Sequence, residues 1–349
     1  MVFFEKERND QMAKTKRNSK KKAKIWLGIL IVFLLLILIV LGFAYNKLSK
    51  LNQADINEDN ITINEFNNDD LKGYTNIAIF GVDSRQNELL NNTRSDTILI
   101  ASINKKTKDV KLVSVYRDTY SDIEGVGYRK INAAYANGGP ELAISTLNKH
   151  LDLDITDFVT VNFSAVTNVV DAIGGIEIDI ESDEIDATNK NIKDGNKLNG
   201  TNSALIKKAG KQTLDGTQAL AYSRVRKTSG NDFRRTQRQR NVLYAILNKA
   251  QSSGLSALNT VLDEMLPQIY TNLSTGEILS LSKDIFSYNI VEDAGFPFEK
   301  KGATINKASV VVPVDLSANV SQLHELLFGT KDYVPSETVK EISATLSKY

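Results

Sequence analysis

The chain reads as an α/β domain, a three-layer α-β-α arrangement around a mostly buried sheet, standing behind one N-terminal transmembrane helix. Three observations predict this. Short β-branched runs alternate with segments of helical period from about residue 74 onward. One apolar stretch of 21 residues, Ile25 to Tyr45, carries no charge. Charge is also segregated around that stretch: residues 1–24 hold nine Lys/Arg against three acids, and the remainder is net acidic.

At 1.5 Å per residue the 25–45 helix just covers a hydrocarbon core of about 30 Å. The basic flank that precedes it is of the kind retained in the cytoplasm, which predicts a single pass with the rest of the chain outside the cell membrane. Residues 46–72 are rich in Asn, Asp and Glu with no sustained apolar face, and they read as an extracellular stalk. The folded domain is expected over 73–330, with 331–349 as a C-terminal tail. Composition is that of a globular protein, 42% hydrophobic and 24% charged over 349 residues. The absence of cysteine excludes disulfides, thiolate metal sites and a Cys nucleophile, and His150 and His324 are too few for a histidine metal cluster.

Within the domain, 76–82, 95–103 and 110–116 predict neighbouring strands. Residues 131–135 and 139–150 predict helix on either side of a Gly138-Gly139-Pro140 break. A strand at 158–162, a helix at 164–173 and an alternating strand at 176–180 follow. Helices are expected at 215–222 and 232–250, and a capping box Ser274-x-x-Glu277 opens another. Strand character at 304–312 and a helix at 317–328 finish the domain.

Charge collects where these strands end. Asp83 and Arg85 follow the first strand in GVDSR, Arg94 and Asp96 open the second in RSDT, and Arg117 and Asp118 close the third in YRDT. Carboxylates at such a rim can hold a hard cation, since Mg²⁺ takes one or two protein carboxylates and completes its shell with water and phosphate oxygens. A turn cap at Asp83 and an ion pair at Asp96 are the plainer alternative. Further along, 222–240 contains seven Lys/Arg and one acid. Arg224 and Arg226 alternate as on an extended strand. Arg235 and Gln239 lie on one helical face with Val242 and Ile246, and guanidinium forks suit phosphate oxygens. Arg234, Arg238 and Arg240 point elsewhere and read as solvated surface. Nucleic acid is excluded as the anion, because Phe233 is the only ring among these arginines and the domain is expected outside the cell. A diphosphate with a metal fits best. LDLDITD at 151–157 lacks the Gly and Glu of a calcium loop and reads as a capped turn.

The blocks GVDSR (81–85), RSDT (94–97), KLVSVYRDTY (111–120), KINAAYANGG (130–139), VDAIGG (170–175), LDGTQALAYSRVR (214–226) and NDFRRTQRQ (231–239) together resemble the LytR–CpsA–Psr family of Gram-positive cell-envelope proteins. The resemblance implies an enzyme, a phosphotransferase that moves a glycopolymer such as teichoic acid or capsule from undecaprenyl diphosphate to peptidoglycan. By matching motif, Asp83 and Asp96 would hold Mg²⁺ (or Mn²⁺), and Arg117, Arg224, Arg226, Arg235 and Gln239 would bind the diphosphate, with Arg85, Lys130 and Asp232 as second choices. Asp232 would orient the arginines or accept the hydroxyl proton. The family also implies an apolar tunnel for the polyprenyl chain, for which the helix faces 141–151 and 164–173 are the candidates. Tyr116 departs from the family pattern, which has Pro there. A non-catalytic polyprenyl-phosphate-binding envelope regulator, or a transcriptional regulator, is the alternative reading.

Overall fold

A computed structural model describes residues 51–67, 69–82, 93–225, 231–254, 259–260, 263–264, 266–284 and 286–349, without the side chains of 163–165 and 231–232. The expected basic tail and membrane span lie outside the described residues. Among the described residues no helix is long and apolar enough to cross a membrane.

In chain order the strands are β1 (Asn52–Gln53), β2 (Tyr74–Val82), β3 (Ser95–Asn104), β4 (Asp109–Val115), β5 (Tyr120–Ile123), β6 (Gly127–Lys130), β7 (Asp157–Asn162), β8 (Ile176–Ile180), β9 (Gly210–Leu214), β10 (Ile269–Thr271), β11 (Asn289–Phe296), β12 (Lys300–Ile305) and β13 (Ala308–Pro313). Seven of them form one mixed sheet in the order β1-β10-β7-β2-β3-β4-β11. The antiparallel run β2-β3-β4 is its centre, and β7 lies parallel to β2.

Alternation decides which residues cover which face. Ala78, Phe80 and Val82 of β2, Ile98 and Ile100 of β3, and Val113 and Val115 of β4 enter one core. Leu99, Ala101, Val110 and Leu112 enter another on the opposite side. With both faces apolar, both need a cover of helices. The first is covered by helices Asn132–Leu151, Leu316–Phe328 and Glu337–Leu346. On the second lies the long helix Asn231–Ser252, which packs through Val242 and Ile246 onto helices Phe163–Ala172, Ile185–Asn199 and Gly216–Ser223 and the β8–β9 hairpin.

Two expected boundaries are corrected. Residues 51–72 are not a free stalk: Ala54, Ile61 and Leu71 are buried and β1 pairs with β10. Residues 331–349 are not a tail either, because the helix Glu337–Leu346 buries Val339, Ile342 and Leu346, a spacing that puts all three on one face. The strands expected at about 304–312 form a hairpin, β12 and β13, that starts earlier, at Lys300, and turns at Asn306-Lys307 with φ of 49° and 65°, the left-handed pair a two-residue hairpin loop requires.

Two buried polar groups tie these layers together. Asp152, the left-handed C-cap of helix Asn132–Leu151, accepts hydrogen bonds from Asn64 Nδ2 (2.7 Å), Ser336 N (2.7 Å), Ser336 Oγ (2.6 Å) and Tyr333 OH (3.1 Å). One carboxylate thus joins the N-terminal segment, the central helix and the C-terminal helix. This is the capped-turn reading of 151–157. His150, next to it, accepts from the Asp122 N–H at Nε2 (3.0 Å), so its proton sits on Nδ1, 2.9 Å from the Thr146 carbonyl oxygen. A second proton on Nε2 would face an N–H donor. Burial therefore holds the pKa of His150 down at about 4, and burial lowers that of His324 as well.

Asp152→Ala should lower stability by about 3 kcal/mol or more, since it strands several buried donors, as read from urea unfolding. For His150 the folded pKa lies below the unfolded value, so the unfolded state binds more protons between the two. Stability is full above about pH 6.5 and falls by on the order of 3 kcal/mol toward pH 4. His150→Gln should remove that part of the acid loss; an unchanged pH profile would refute the assignment.

Candidate functional site

The site grows from a defect in the sheet. Pairing between β2 and β3 steps from Gly81↔Thr97 to Val82↔Ser95, leaving Asp96 as an extra residue. Such a bulge frees a residue from the ladder and re-aims its side chain. The Asp96 backbone oxygen accepts from Arg235 Nη2 (3.2 Å), and its carboxylate Oδ1 accepts from Arg117 Nη1 (2.5 Å). One bulged residue therefore brings together two arginines that are 118 positions apart.

Arg117 sits on a rigid corner. The Tyr116 N–H donates to the Phe296 oxygen, the Thr119 N–H and hydroxyl to the Tyr116 oxygen, and the Asn132 N–H to the Arg117 oxygen. Asp118 lies 3.9 Å from Arg117 Nε and accepts from Lys130 Nζ at 2.8 Å. Together they wall a cleft of about 830 Å³ whose charged lining is Arg94, Asp96, Arg117, Asp118, Arg129 and Lys130, two positive charges in excess. Arg94 and Arg129 are exposed and make no ion pair among the described residues.

The other side of β3 faces a different cavity. Thr97 and Leu99, with Ile79, Gly81 and Val161, form one wall of an almost wholly apolar slot, closed by Val166, Val169, Gln239, Val242, Leu243 and Ile246. Its volume is about 110 Å³. The expected face at 164–173 contributes Val166 and Val169. That at 141–151 does not: Ala143, Ile144, Leu147 and Leu151 are packed into the core on the opposite face of the sheet.

The arginines of 222–240 divide differently from expectation. Arg235, 2% exposed, and Gln239 lie on the inner face of the helix. Arg224 is not on a strand; it is the C-cap of helix Gly216–Ser223, one residue after Ser223, which borders the slot. Arg238 and Arg240 are not solvated. Arg238 is buried against Glu184 (2.7 Å) and the Val225 oxygen (3.0 Å), and Arg240 joins Asp293 (2.5 Å) and Ser114 Oγ (2.7 Å). Arg234 pairs with Glu181 and with Asp183. A buried guanidinium must be matched by fixed acceptors, and these three pin the helix that carries Arg235 and Gln239. Asp83, Arg85 and Arg226 lie outside the described residues, as does the side chain of Asp232.

Tyr116 stands clear of the cleft lining. Its ring meets Phe233 edge-on, centroids 4.5 Å apart, with the Lys300 ammonium 5.0 Å and 4.8 Å from the two rings. Its hydroxyl fills the space beside Gly295 where a Cβ would come within 2.1 Å. The exchange for Pro thus alters how the first turn of helix Asn231–Ser252 is seated. Sequence reasoning placed Asp118 at the third strand end without giving it a role, and it missed Arg129 and the hairpins that wall the cleft. The signal was the basic pair in YRK at 128–130, beside Asp118 in a hairpin whose register only the fold supplies.

Carboxylate oxygens at a polar cleft beside guanidinium groups are the hard-oxygen chemistry that Mg²⁺ takes, so Asp96 fits such an ion. No cluster of three metal-ligating side chains occurs among the described residues.

Known proteins share this architecture. The polyisoprenyl-teichoic acid–peptidoglycan teichoic acid transferase TagT of Bacillus subtilis (strain 168) is 32% identical over 308 residues, 85% of this chain and 92% of that protein. The structure of TagT bound to LIIa-WTA aligns with a TM-score of 0.58 at 28% identity, over 77% of this chain and 95% of that one. That of the LytR-CPS2A-psr family protein YwtF (TagT) with bound octaprenyl pyrophosphate lipid aligns with a TM-score of 0.55 at 27% identity, over the same shares of the two chains. Residues 38–324 match the LytR_cpsA_psr family model. With the family model matched over most of its length and a relative 32% identical over 85% of it, the chain belongs to the LytR–CpsA–Psr family.

Proposed function

We propose that this protein is a membrane-anchored phosphotransferase acting outside the cell, which moves a glycopolymer from undecaprenyl diphosphate to peptidoglycan. The observation that carries the reading is the pair of cavities divided by β3. An apolar slot lies on the Thr97 side and a cationic cleft on the Asp96 side, a division that suits a ligand with a hydrocarbon tail and a charged head. Relatives whose structures hold octaprenyl pyrophosphate lipid or LIIa-WTA support the same ligand class.

In the reaction a peptidoglycan hydroxyl, the muramic acid 6-hydroxyl in the family pattern, attacks the glycopolymer-side phosphorus. The phosphoanhydride bond breaks and undecaprenyl phosphate leaves with the bridging oxygen. The hydroxyl proton goes to a base, and Asp232 is the candidate. Charge spreads over the phosphoryl oxygens, so preorganised cations serve this step better than a strong nucleophile. Arg117, aimed by Asp96 and steadied beside Asp118, would meet the diphosphate from the cleft side, and Arg235 would meet it from the helix. Lys130, Arg224, Arg226 and Gln239 would complete the anion contacts, with Arg85 as a second choice. Asp96 and Asp83 would hold Mg²⁺, or Mn²⁺, which would supply neutralisation of diphosphate charge.

Arg117→Ala should reduce transfer by at least about 10²-fold, the usual cost of removing a donor aimed at transition-state charge, with little change in unfolding. Radiolabelled polymer transfer to peptidoglycan measures this, and a fully active variant would contradict the assigned cleft. Chelation by EDTA should suppress transfer and added Mg²⁺ restore it; transfer indifferent to both would remove the metal from the scheme. Mass spectrometry of lipid retained by the protein purified from its own membranes reads the substrate class directly.

A further inference from the structure

Two cations of the cleft are already committed within the protein, Arg117 to Asp96 and Lys130 to Asp118. Asn132 is not. It stands at the first turn of helix Asn132–Leu151, lines the cleft and is 4% exposed. Its backbone N–H donates to the Arg117 oxygen at 3.2 Å, but its carboxamide makes no hydrogen bond among the described residues and does not cap the helix. Nor is the carboxamide sealed away, because neither of its polar atoms is among the buried ones left without a partner. Alanine has the higher helix propensity, so neither capping nor packing calls for asparagine here. What remains for the carboxamide is the group that enters the cleft. Its oxygen accepts and its nitrogen donates, which matches a sugar hydroxyl or acetamido group; a phosphate, which only accepts, would use half of it.

A second observation comes from the neighbouring strand β6. Arg129 lines the same cleft, is exposed and makes no ion pair among the described residues, so its guanidinium fork is available to a carboxylate of the ligand. Tyr128, half-buried beside it, adds an aromatic ring to the lining, a surface for the C–H face of a sugar. Direction of attack says which sugar this would be. In an in-line displacement the attacking and leaving oxygens lie on opposite sides of the phosphorus. With the polyprenyl chain in the slot on one side of β3, the attacking hydroxyl comes from the other side, where Asn132 and Arg129 stand. We propose that this part of the cleft is the acceptor subsite, in which the Asn132 carboxamide holds a hydroxyl or acetamido group of the peptidoglycan sugar and Arg129 holds a carboxylate of the attached peptide. The inference rests on the transfer proposed above and adds the residues that select its acceptor.

The test uses the full chain in detergent and measures two quantities: affinity for octaprenyl diphosphate, and the KM for soluble peptidoglycan strands in transfer of radiolabelled polymer, with the strand carboxylates free or amidated. Asn132→Ala and Arg129→Ala should each raise the acceptor KM about three- to tenfold, the loss expected of one such contact, with octaprenyl diphosphate affinity unchanged. Amidation should abolish the difference between Arg129→Ala and the unaltered chain while leaving that of Asn132→Ala, and Arg129→Lys should recover part of the loss. Octaprenyl diphosphate binding also reports that each variant is folded, and Arg129, being exposed, supplies a substitution that the core does not feel. An acceptor KM unchanged in both alanine variants would overturn this inference alone. So would an equal loss of octaprenyl diphosphate affinity, which would assign the two residues to the donor. Failure of the unaltered chain to transfer polymer to any peptidoglycan strand would overturn it together with the proposed function.

Discussion

Asp96 occupies the one place in the central sheet where the β2–β3 ladder skips a residue, and the arrangement of the site follows from that skip. In a regular antiparallel pair its carbonyl would be spent on the neighbouring strand. At the bulge the oxygen accepts from Arg235 instead, and the carboxylate accepts from Arg117. A strand end, a strand corner and a helix are thereby locked around one residue. Asp96 and Thr97, neighbours on β3, face two different cavities, which makes β3 the partition between an apolar slot and a charged cleft.

A site for the proposed transfer works only if its cations are held still, because reorganising them during a reaction would forfeit the electrostatic gain. The arginine-rich helix solves this with unequal members. Arg234, Arg238 and Arg240 are committed to Glu181, Asp183, Glu184, Asp293 and Ser114. Removing Glu184 would leave the buried Arg238 charge stranded in a low dielectric, so that pair is expensive to break and acts as a pin, while the more exposed pairs of Arg234 add orientation. Tyr116 adds an aromatic contact at the first turn, where Phe233 and Lys300 close over it, and burial raises the Tyr116 phenol above its ordinary pKa while lowering that of Lys300. Both shifts have the same origin: partial removal of water from the seam between the helix and β4.

On the opposite face the chain ends are drawn into the core. Asp152 collects donors from Asn64, Tyr333 and Ser336, which come from either end of the described chain, and His150 ties the β5–β6 hairpin to the central helix through the Asp122 backbone. That hairpin carries Arg129 and Lys130 to the cleft wall. Packing far from the slot thus sets how the cleft is walled.

Local period and turn chemistry were enough to determine β2, β3 and β4, the helices around 132–151, 215–222 and 231–252, the capping box at Ser274, and the break at Gly138-Gly139, because each is encoded by residues within one or two turns of one another. Ordered motif blocks also sufficed for the family, and the i, i+4 spacing put Arg235 and Gln239 on the inner helix face. Three features were decided only by tertiary structure. The acids that bind Arg234, Arg238 and Arg240 lie some fifty residues away in sequence, so a solvated helix face and a pinned one look alike along the chain. A C-terminal segment with buried residues at 339, 342 and 346 becomes part of the core only when Asp152 and helix Leu316–Phe328 supply the surface for it. The bulge at Asp96 is a property of register between two strands, and register is fixed by the partner strand, which no window of a single sequence contains.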